Sequence, residues 1–183
     1  MTRLKFILTK IPDVILIEPK VFSDERGFFF ESYLKDAFRQ HGIVTDFVQD
    51  NHSRSAKGIL RGLHYQVAPK EQAKLVRVTH GEAFDVVVDV RRDSKTFGQW
   101  VGHLLNEEKK NMLFIPAGFA HGFLALKDDT ELLYKVSDVY SPAHERGIRW
   151  DDPAIGIAWP RIDAPFFLSE KDKKYPSLKE ARF

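Results

Sequence analysis

Cysteine is absent from this chain. That excludes disulfides, thiolate metal sites and cysteine nucleophiles, and it permits a reducing compartment. Long hydrophobic runs are missing too: nothing approaches the ~18 apolar residues that a spanning helix requires. The opening segment, MTRLKFILTKIPD, carries an apolar patch broken by lysine and proline, too short for a secretory signal. A soluble cytoplasmic protein with no membrane partner is expected. Nor does charge of one sign dominate, since the net charge is +2 and the isoelectric point near 8.7. Basic residues are scattered among acidic ones, and the lysine cluster at 171–174 reads as a solvated helix end, so no nucleic-acid partner is expected. No repeat, low-complexity stretch or linker divides the 183 residues. One domain spanning 1–183 is expected, large enough to bury roughly 70% of its unfolded surface.

What the chain does have is aromatic content, 13%, with 15 Phe against five Tyr and three Trp. Such a share suits a packed β core and a ring-lined site. Strand-type runs dominate from about residue 14 to residue 150: DVILIEPKVF, SDERGFFFES as a turn and a short aromatic strand, IVTDFVQDN, KLVRVTHGEAFDVVVDVR, QWVGHLL, MLFIPAG, HGFLAL and ELLYKVSDVY. In FDVVVDVR the period is two, with Phe84, Val86, Val88 and Val90 on one face and Asp85, Val87 and Asp89 on the other. Turn signals recur at His80-Gly81, Asp93-Ser94, Glu107-Glu108 and Asp128-Asp129. One helix is predicted in SYLKDAFRQHG, with Leu34, Ala37 and Phe38 on a shared face and Gly42 as its C-terminal cap. A lysine-rich tail from about Ser169 is predicted helical up to Pro176. Many short strands without alternating helices point to an all-β jelly-roll barrel with short peripheral helices.

Two runs carry the chemistry, LRGLHYQ at 60–66 and FIPAGFAHGFLAL at 114–126. Each sets one histidine in a strand beside glycine, arginine or aromatic residues. His64 follows Arg61 and Gly62, and Lys74 opens the next strand-like segment. A neutral imidazole among cations can act as a general base, given a partner on its other nitrogen. Asp172 is the candidate partner, although Ser169-x-x-Asp172 also reads as a capping-box-like helix start. His121 and Asp85 suggest a second pair, unless Asp85 lies on an exposed sheet face. Lys74 would stabilise an oxyanion inside a barrel, or else is a strand-end surface lysine. Tyr134 and Tyr140 are either packed tyrosines or phenolic proton donors. Arg26 reads most simply as a turn residue, and Gln49, Asp50 and Asn51 as a polar loop.

Pro116-Ala117-Gly118-Phe119-Ala120-His121 resembles the second motif of the cupin superfamily, whose metal-binding members carry an H-x-H pair where this chain has His64 and Gln66. An amide is a poor transition-metal ligand, which argues against a metal-dependent cupin. Across nearly its whole length the chain resembles the dTDP-4-dehydrorhamnose 3,5-epimerase family, through SDERGFFFES, FVQDNHSRS, LRGLHYQ, KLVRVTHGEAFDVVVDVR, FIPAGFAHGFLAL, YKVSDVYSP, GIRWDDPAIGIAWP and LSEKD in order. The resemblance implies a homodimeric jelly roll, free of metal and cofactor, acting on a dTDP-4-keto-6-deoxyhexose. By the same resemblance His64 would be the base oriented by Asp172, Tyr134 the proton donor and Lys74 the enolate stabiliser. Asp85 and His121 would line the sugar pocket. Arg26, Phe28, Glu31, Gln49, Asp50, Asn51, Arg61, Tyr140, Glu145 and Lys171 would hold the nucleotide or sugar, with Arg26 and Glu31 reaching across a dimer interface. The competing readings are a single-carbon epimerase or 4-keto isomerase on the same barrel, and a non-catalytic sugar-nucleotide-binding module.

Overall fold

Antiparallel pairing builds the molecule, as the period-two runs predict. In the computed structural model, which describes residues 3–183, a six-stranded sheet runs β1 (Leu4–Leu8), β2 (Ile15–Pro19), β10 (Met112–Ile115), β7 (Lys74–His80), β12 (Thr130–Val136) and β5 (Gln49–Ser55). A five-stranded sheet runs β13 (Glu145–Gly147), β6 (Leu60–Gln66), β11 (Phe119–Ala125), β8 (Glu82–Asp89) and β9 (Trp100–Asn106). A hairpin of β3 (Phe22–Asp24) and β4 (Gly27–Phe29) stands apart from both. Val76, Val78, Val87, Leu105, Leu113, Phe119, Phe123 and Leu132 fill the space between the sheets. The jelly roll expected from the sequence is the fold observed. Met1 and Thr2, which begin the segment weighed as a signal, lie outside the described residues.

FDVVVDVR is buried on both faces. Val87 enters the inter-sheet core, while Val86, Val88 and Val90 pack under Ile148, Ile155 and Trp159 from the C-terminal segment. Asp85 is fully buried, so its exposed-face alternative falls.

Several element boundaries differ from expectation. β1 was not expected, because its alternation is blurred by two apolar neighbours, Phe6 and Ile7; pairing with β2 creates it. In IVTDFVQDN the strand begins only at Gln49 and continues through HSRS, so the polar run read as a loop is the strand itself. Its partner β12 supplies the register, Asn51 opposite Tyr134. The helix α1 is short, Lys35–Gln40, and buries Ala37 and Phe38, while Leu34 sits at the N-cap position, 45% exposed. Gly42 does cap it: at φ +81° its N–H reaches the Arg39 carbonyl, and Ile43 N–H reaches that of Phe38. The tail is not a helix beyond one 3-10 turn, Asp172–Lys174. Its backbone bonds elsewhere: Leu178 N–H donates to the Asp152 carboxylate at 2.6 Å, and the Pro176 carbonyl accepts from Arg149 N–H at 2.9 Å.

Candidate active site

Register brings His64 on β6 directly opposite His121 on β11. One residue further the register slips, at Gly62 and Gly122. A Cβ on Gly122 would meet the Arg61 carbonyl at 2.6 Å, and one on Gly62 would meet Gly122 Cα at 2.6 Å. Only glycine lets the strands approach this closely, and Gly62 also needs its φ of +136°. The bulge turns Gly62 N–H toward Asp172, whose Oδ2 accepts it at 3.3 Å.

The other oxygen of Asp172 meets His64 Nε2 at 2.8 Å. Asp172 N–H in turn donates to Ser169 Oγ at 3.1 Å. Asp172 thus has both a histidine contact and a turn contact with Ser169, but the helix that Ser169-x-x-Asp172 was expected to start is only the 3-10 turn, with Lys171 at its N-cap. Burial pushes the Asp172 carboxyl up, but the His64 hydrogen bond and charge outweigh it and hold the group below its usual range. A carboxylate fixed on Nε2 keeps the proton there and leaves the Nδ1 lone pair to act as base.

Lys74, at the start of β7, is buried, and desolvation lowers it from 10.5 to about 8, against the pull of Asp85 and Glu145. His121 Nε2 lies 3.0 and 2.9 Å from the two Asp85 oxygens. Burial pushes this imidazole down despite the carboxylate. Tyr134 on β12 is half-buried, and desolvation raises its phenol. At the rim, Tyr140 OH donates to Glu145 Oε2 at 2.7 Å, and Glu145 also pairs with Lys171.

Two adjoining cavities share His64, Lys74 and Tyr134 as walls. The outer one, about 140 Å³, adds Asn51, Gln72, Tyr140 and Glu145. The inner one, about 190 Å³, adds Ser53, Arg61, His121 and Phe123. Gln49 supports the outer cavity: its Oε1 accepts Tyr140 N–H at 3.2 Å, and its Nε2 donates to Asn51 at 2.8 Å. Asp50 is turned away and pairs with Lys135 at 3.0 Å. Arg26, Phe28 and Glu31 are not brought to these cavities. Arg26 pairs with Asp24, Glu31 pairs with Arg3, and Phe28 lies 61% exposed under Lys110.

Sequence reasoning missed Ser53, Gln72 and Tyr175, whose ring edge meets His64 at 5.6 Å between centroids. Period two along β5 could have found Ser53 beside Asn51; Tyr175 left no comparable signal. Gln66 works as a clamp. Its Nε2 donates to the carbonyls of Lys70 and Val139, and its Oε1 accepts from Ser141 N–H at 2.7 Å. Among the described residues, no group of three or more His, Cys, Asp or Glu is placed to hold a metal ion. No described helix is long and apolar enough to cross a membrane.

The arrangement gathers an imidazole, a phenol and a buried amine around two adjoining cavities. The family model for dTDP-4-dehydrorhamnose 3,5-epimerase matches residues 8–180. A dTDP-4-dehydrorhamnose 3,5-epimerase of Pseudomonas aeruginosa is 59% identical over 172 residues, covering 93% of this chain and 94% of that protein. The structure of a dTDP-6-deoxy-D-glucose-3,5-epimerase from Legionella pneumophila, in complex with dTDP-4-keto-L-rhamnose, superimposes with a TM-score of 0.93 at 47% identity. It covers 97% of this chain and 94% of that one. A 3'-monoepimerase from Streptomyces bikiniensis, in complex with dTDP-quinovose, gives a TM-score of 0.88 at 38% identity, covering 94% and 87%.

Proposed function

We propose that this chain, which belongs to the dTDP-4-dehydrorhamnose 3,5-epimerase family, works through a His64–Asp172 base, a Tyr134 acid and a Lys74 cation. The reaction is inversion of dTDP-4-dehydro-6-deoxy-D-glucose at carbons 3 and 5, giving dTDP-4-dehydro-L-rhamnose for dTDP-L-rhamnose synthesis. The C4 carbonyl acidifies the protons on carbons 3 and 5. His64 Nδ1 takes one of them, and the C–H electron pair moves into the ring to leave an enolate on the C4 oxygen. Lys74 faces the chamber as a cation to stabilise that charge. Tyr134 then protonates the carbon from the opposite face. The proton lost and the proton gained balance, and solvent restores both side chains before the second carbon reacts.

The observation that carries this reading is the His64–Asp172 hydrogen bond at a cavity wall shared with Lys74 and Tyr134. A module that only bound sugar nucleotides would have no use for a buried carboxylate fixed on a histidine opposite a phenol. The nucleotide is assigned to the open side beyond the outer cavity, past Asn51, Tyr140, Glu145 and Lys171 at its rim. Arg26, Phe28 and Glu31 are assigned to the same nucleotide in the neighbouring subunit of a homodimer. A cytoplasmic site of action accords with the nucleotide-sugar substrate.

A single-carbon epimerase is the second reading, favoured by the likeness to the 3'-monoepimerase. Incubation of the keto sugar in heavy water, with both carbons followed by proton NMR, separates the two. Exchange and inversion at carbons 3 and 5 are expected, and inversion at one carbon alone would establish the second reading. Tyr134→Phe tests the acid. It is expected to exchange label from the base side while inverting much more slowly, whereas parallel loss of both in a folded variant would move the donor role to Tyr140 or His121.

A further inference from the structure

Among the described residues, two side-chain hydroxyls are buried without a hydrogen-bond partner, those of Ser53 and Tyr175. Both adjoin the active site, and of the two, Ser53 faces the inner cavity. Alternation along β5 sends Asn51, Ser53 and Ser55 to the same side, opposite Tyr134, Leu132 and Thr130 of β12. Leu132 belongs to the core between the sheets, so this side is the interior. The two outer rungs of the polar ladder are engaged. Asn51 Oδ1 accepts from Gln49 Nε2 at 2.8 Å, and Ser55 Oγ accepts from Arg61 Nε at 3.1 Å. The middle rung has nothing.

Native proteins pair nearly all their buried polar groups, and an unpaired one calls for a reason. Here Ser53 is one of the residues that line a chamber whose other walls carry His64, Lys74, His121 and Tyr134, its hydroxyl buried in that wall. At about 190 Å³ the chamber falls below the roughly 300–1,000 Å³ of a whole drug-sized pocket, which suits one six-membered ring. A nucleotide would not fit beside it.

We propose that Ser53 Oγ is a substrate-binding group that hydrogen-bonds the C2 hydroxyl of the sugar ring. The assignment rests on the epimerase reading. It deepens that reading by naming a specificity contact that acts on neither reacting carbon. Chemistry selects carbon 2. The C4 oxygen belongs to Lys74, and the C3 hydroxyl changes its orientation when carbon 3 inverts, so no fixed group can hold it throughout. The C2 hydroxyl keeps its configuration through both inversions, and one rigid strand hydroxyl can hold it from substrate to product.

The test is calorimetric titration of wild type and Ser53→Ala with dTDP, dTDP-glucose and dTDP-2-deoxyglucose. Ser53→Ala is expected to weaken dTDP-glucose binding about three- to tenfold, the size of one neutral hydrogen bond. Affinity for dTDP and for dTDP-2-deoxyglucose should not change. The melting temperature should hold or rise, because the variant removes an unpaired buried hydroxyl. Equal weakening toward all three ligands would make Ser53 a packing residue and overturn the assignment, as would unchanged affinity for all three. Turnover of the keto sugar by wild type is measured alongside. Its absence would fail the epimerase reading itself, which the binding comparison leaves distinguishable.

Discussion

At the residue scale, Asp172 does two things for His64. It fixes the ring through Nε2, and it takes Gly62 N–H on its other oxygen. An amide at this position can donate to Nε2 and so move the ring proton onto Nδ1, where a lone pair is needed. Asp172→Asn is therefore expected to lower kcat by ~10²–10⁴, the range for losing a general base, with His64→Ala falling at least as far. dTDP affinity should be nearly unchanged in both, as titration with dTDP alone would show. Loss of melting temperature with normal kcat would leave Asp172 only its turn-capping contact with Ser169.

Lys74 ties activity and stability to pH with opposite signs. Its proton is held less tightly in the fold, at about 8, than in the unfolded chain, at 10.5. Protonated Lys74 therefore subtracts from stability below pH 8, by on the order of 3 kcal/mol, and the deficit fades as pH rises from 8 to 10.5. In the proposed mechanism, however, the enolate needs the cation, so kcat/KM is expected to decline above about pH 8. Lys74→Met should unfold at higher urea than wild type at pH 7, with the gap closing by pH 10, and should be nearly inactive. A pH profile flat to pH 10 would remove Lys74 from the chemistry.

At the scale of elements, the site depends on one irregularity. Ordinary pairing of β6 and β11 would not turn Gly62 N–H toward Asp172; the glycine bulge does. In Gly122→Ala the new methyl would stand 2.6 Å from the Arg61 carbonyl and 2.8 Å from Leu63 Cδ2. The strands must part, at about 1–3 kcal/mol, and the His64–Asp172 alignment goes with them. Denaturant unfolding should register the loss, with kcat reduced more than dTDP affinity. Normal kcat would show that the alignment tolerates a regular ladder. The same dependence on neighbours explains what the sequence disclosed. The successive strands β7 and β8, which enter different sheets, were legible because KLVRVTH-G-EAFDVVVDV has strong alternation and a glycine where one strand turns into the next. The polar β5 and the blurred β1 were not, since their strand character comes from β12 and β2. The tail looked helical by composition, yet its backbone is bonded to Asp152 and Arg149 instead. His64, Lys74 and Asp85 could be picked out as odd polar residues in apolar strands. Ser53 was reachable only through the period of β5, a strand that the sequence did not disclose, and nothing in its local run marks Tyr175.

At the scale of the whole molecule, one chain leaves surfaces that a second copy would complete. The β3–β4 hairpin has strands of three residues, too short to be stable alone, and it exposes Phe28 and Phe29 at 61% and 62%. Arg26 sits at its turn and pairs with Asp24. Among the described strands β1 stands at the end of its sheet, and its last residue, Leu8, is exposed. The exposed aromatics and an arginine held away from the cavity would fit the homodimer proposed above, in which each hairpin reaches the other subunit's nucleotide. Sedimentation should show a dimer at micromolar concentration. Phe28→Glu combined with Phe29→Glu should yield a folded monomer whose dTDP affinity is lower by at least about tenfold, the worth of one charge-assisted contact. Chelation with EDTA should leave wild-type activity intact, because Gln66, the position where a metal cupin places its second histidine, is spent on three backbone bonds. A fully active wild-type monomer would return Arg26, Phe28 and Glu31 to the role of surface residues and require the nucleotide to be held by one chain alone.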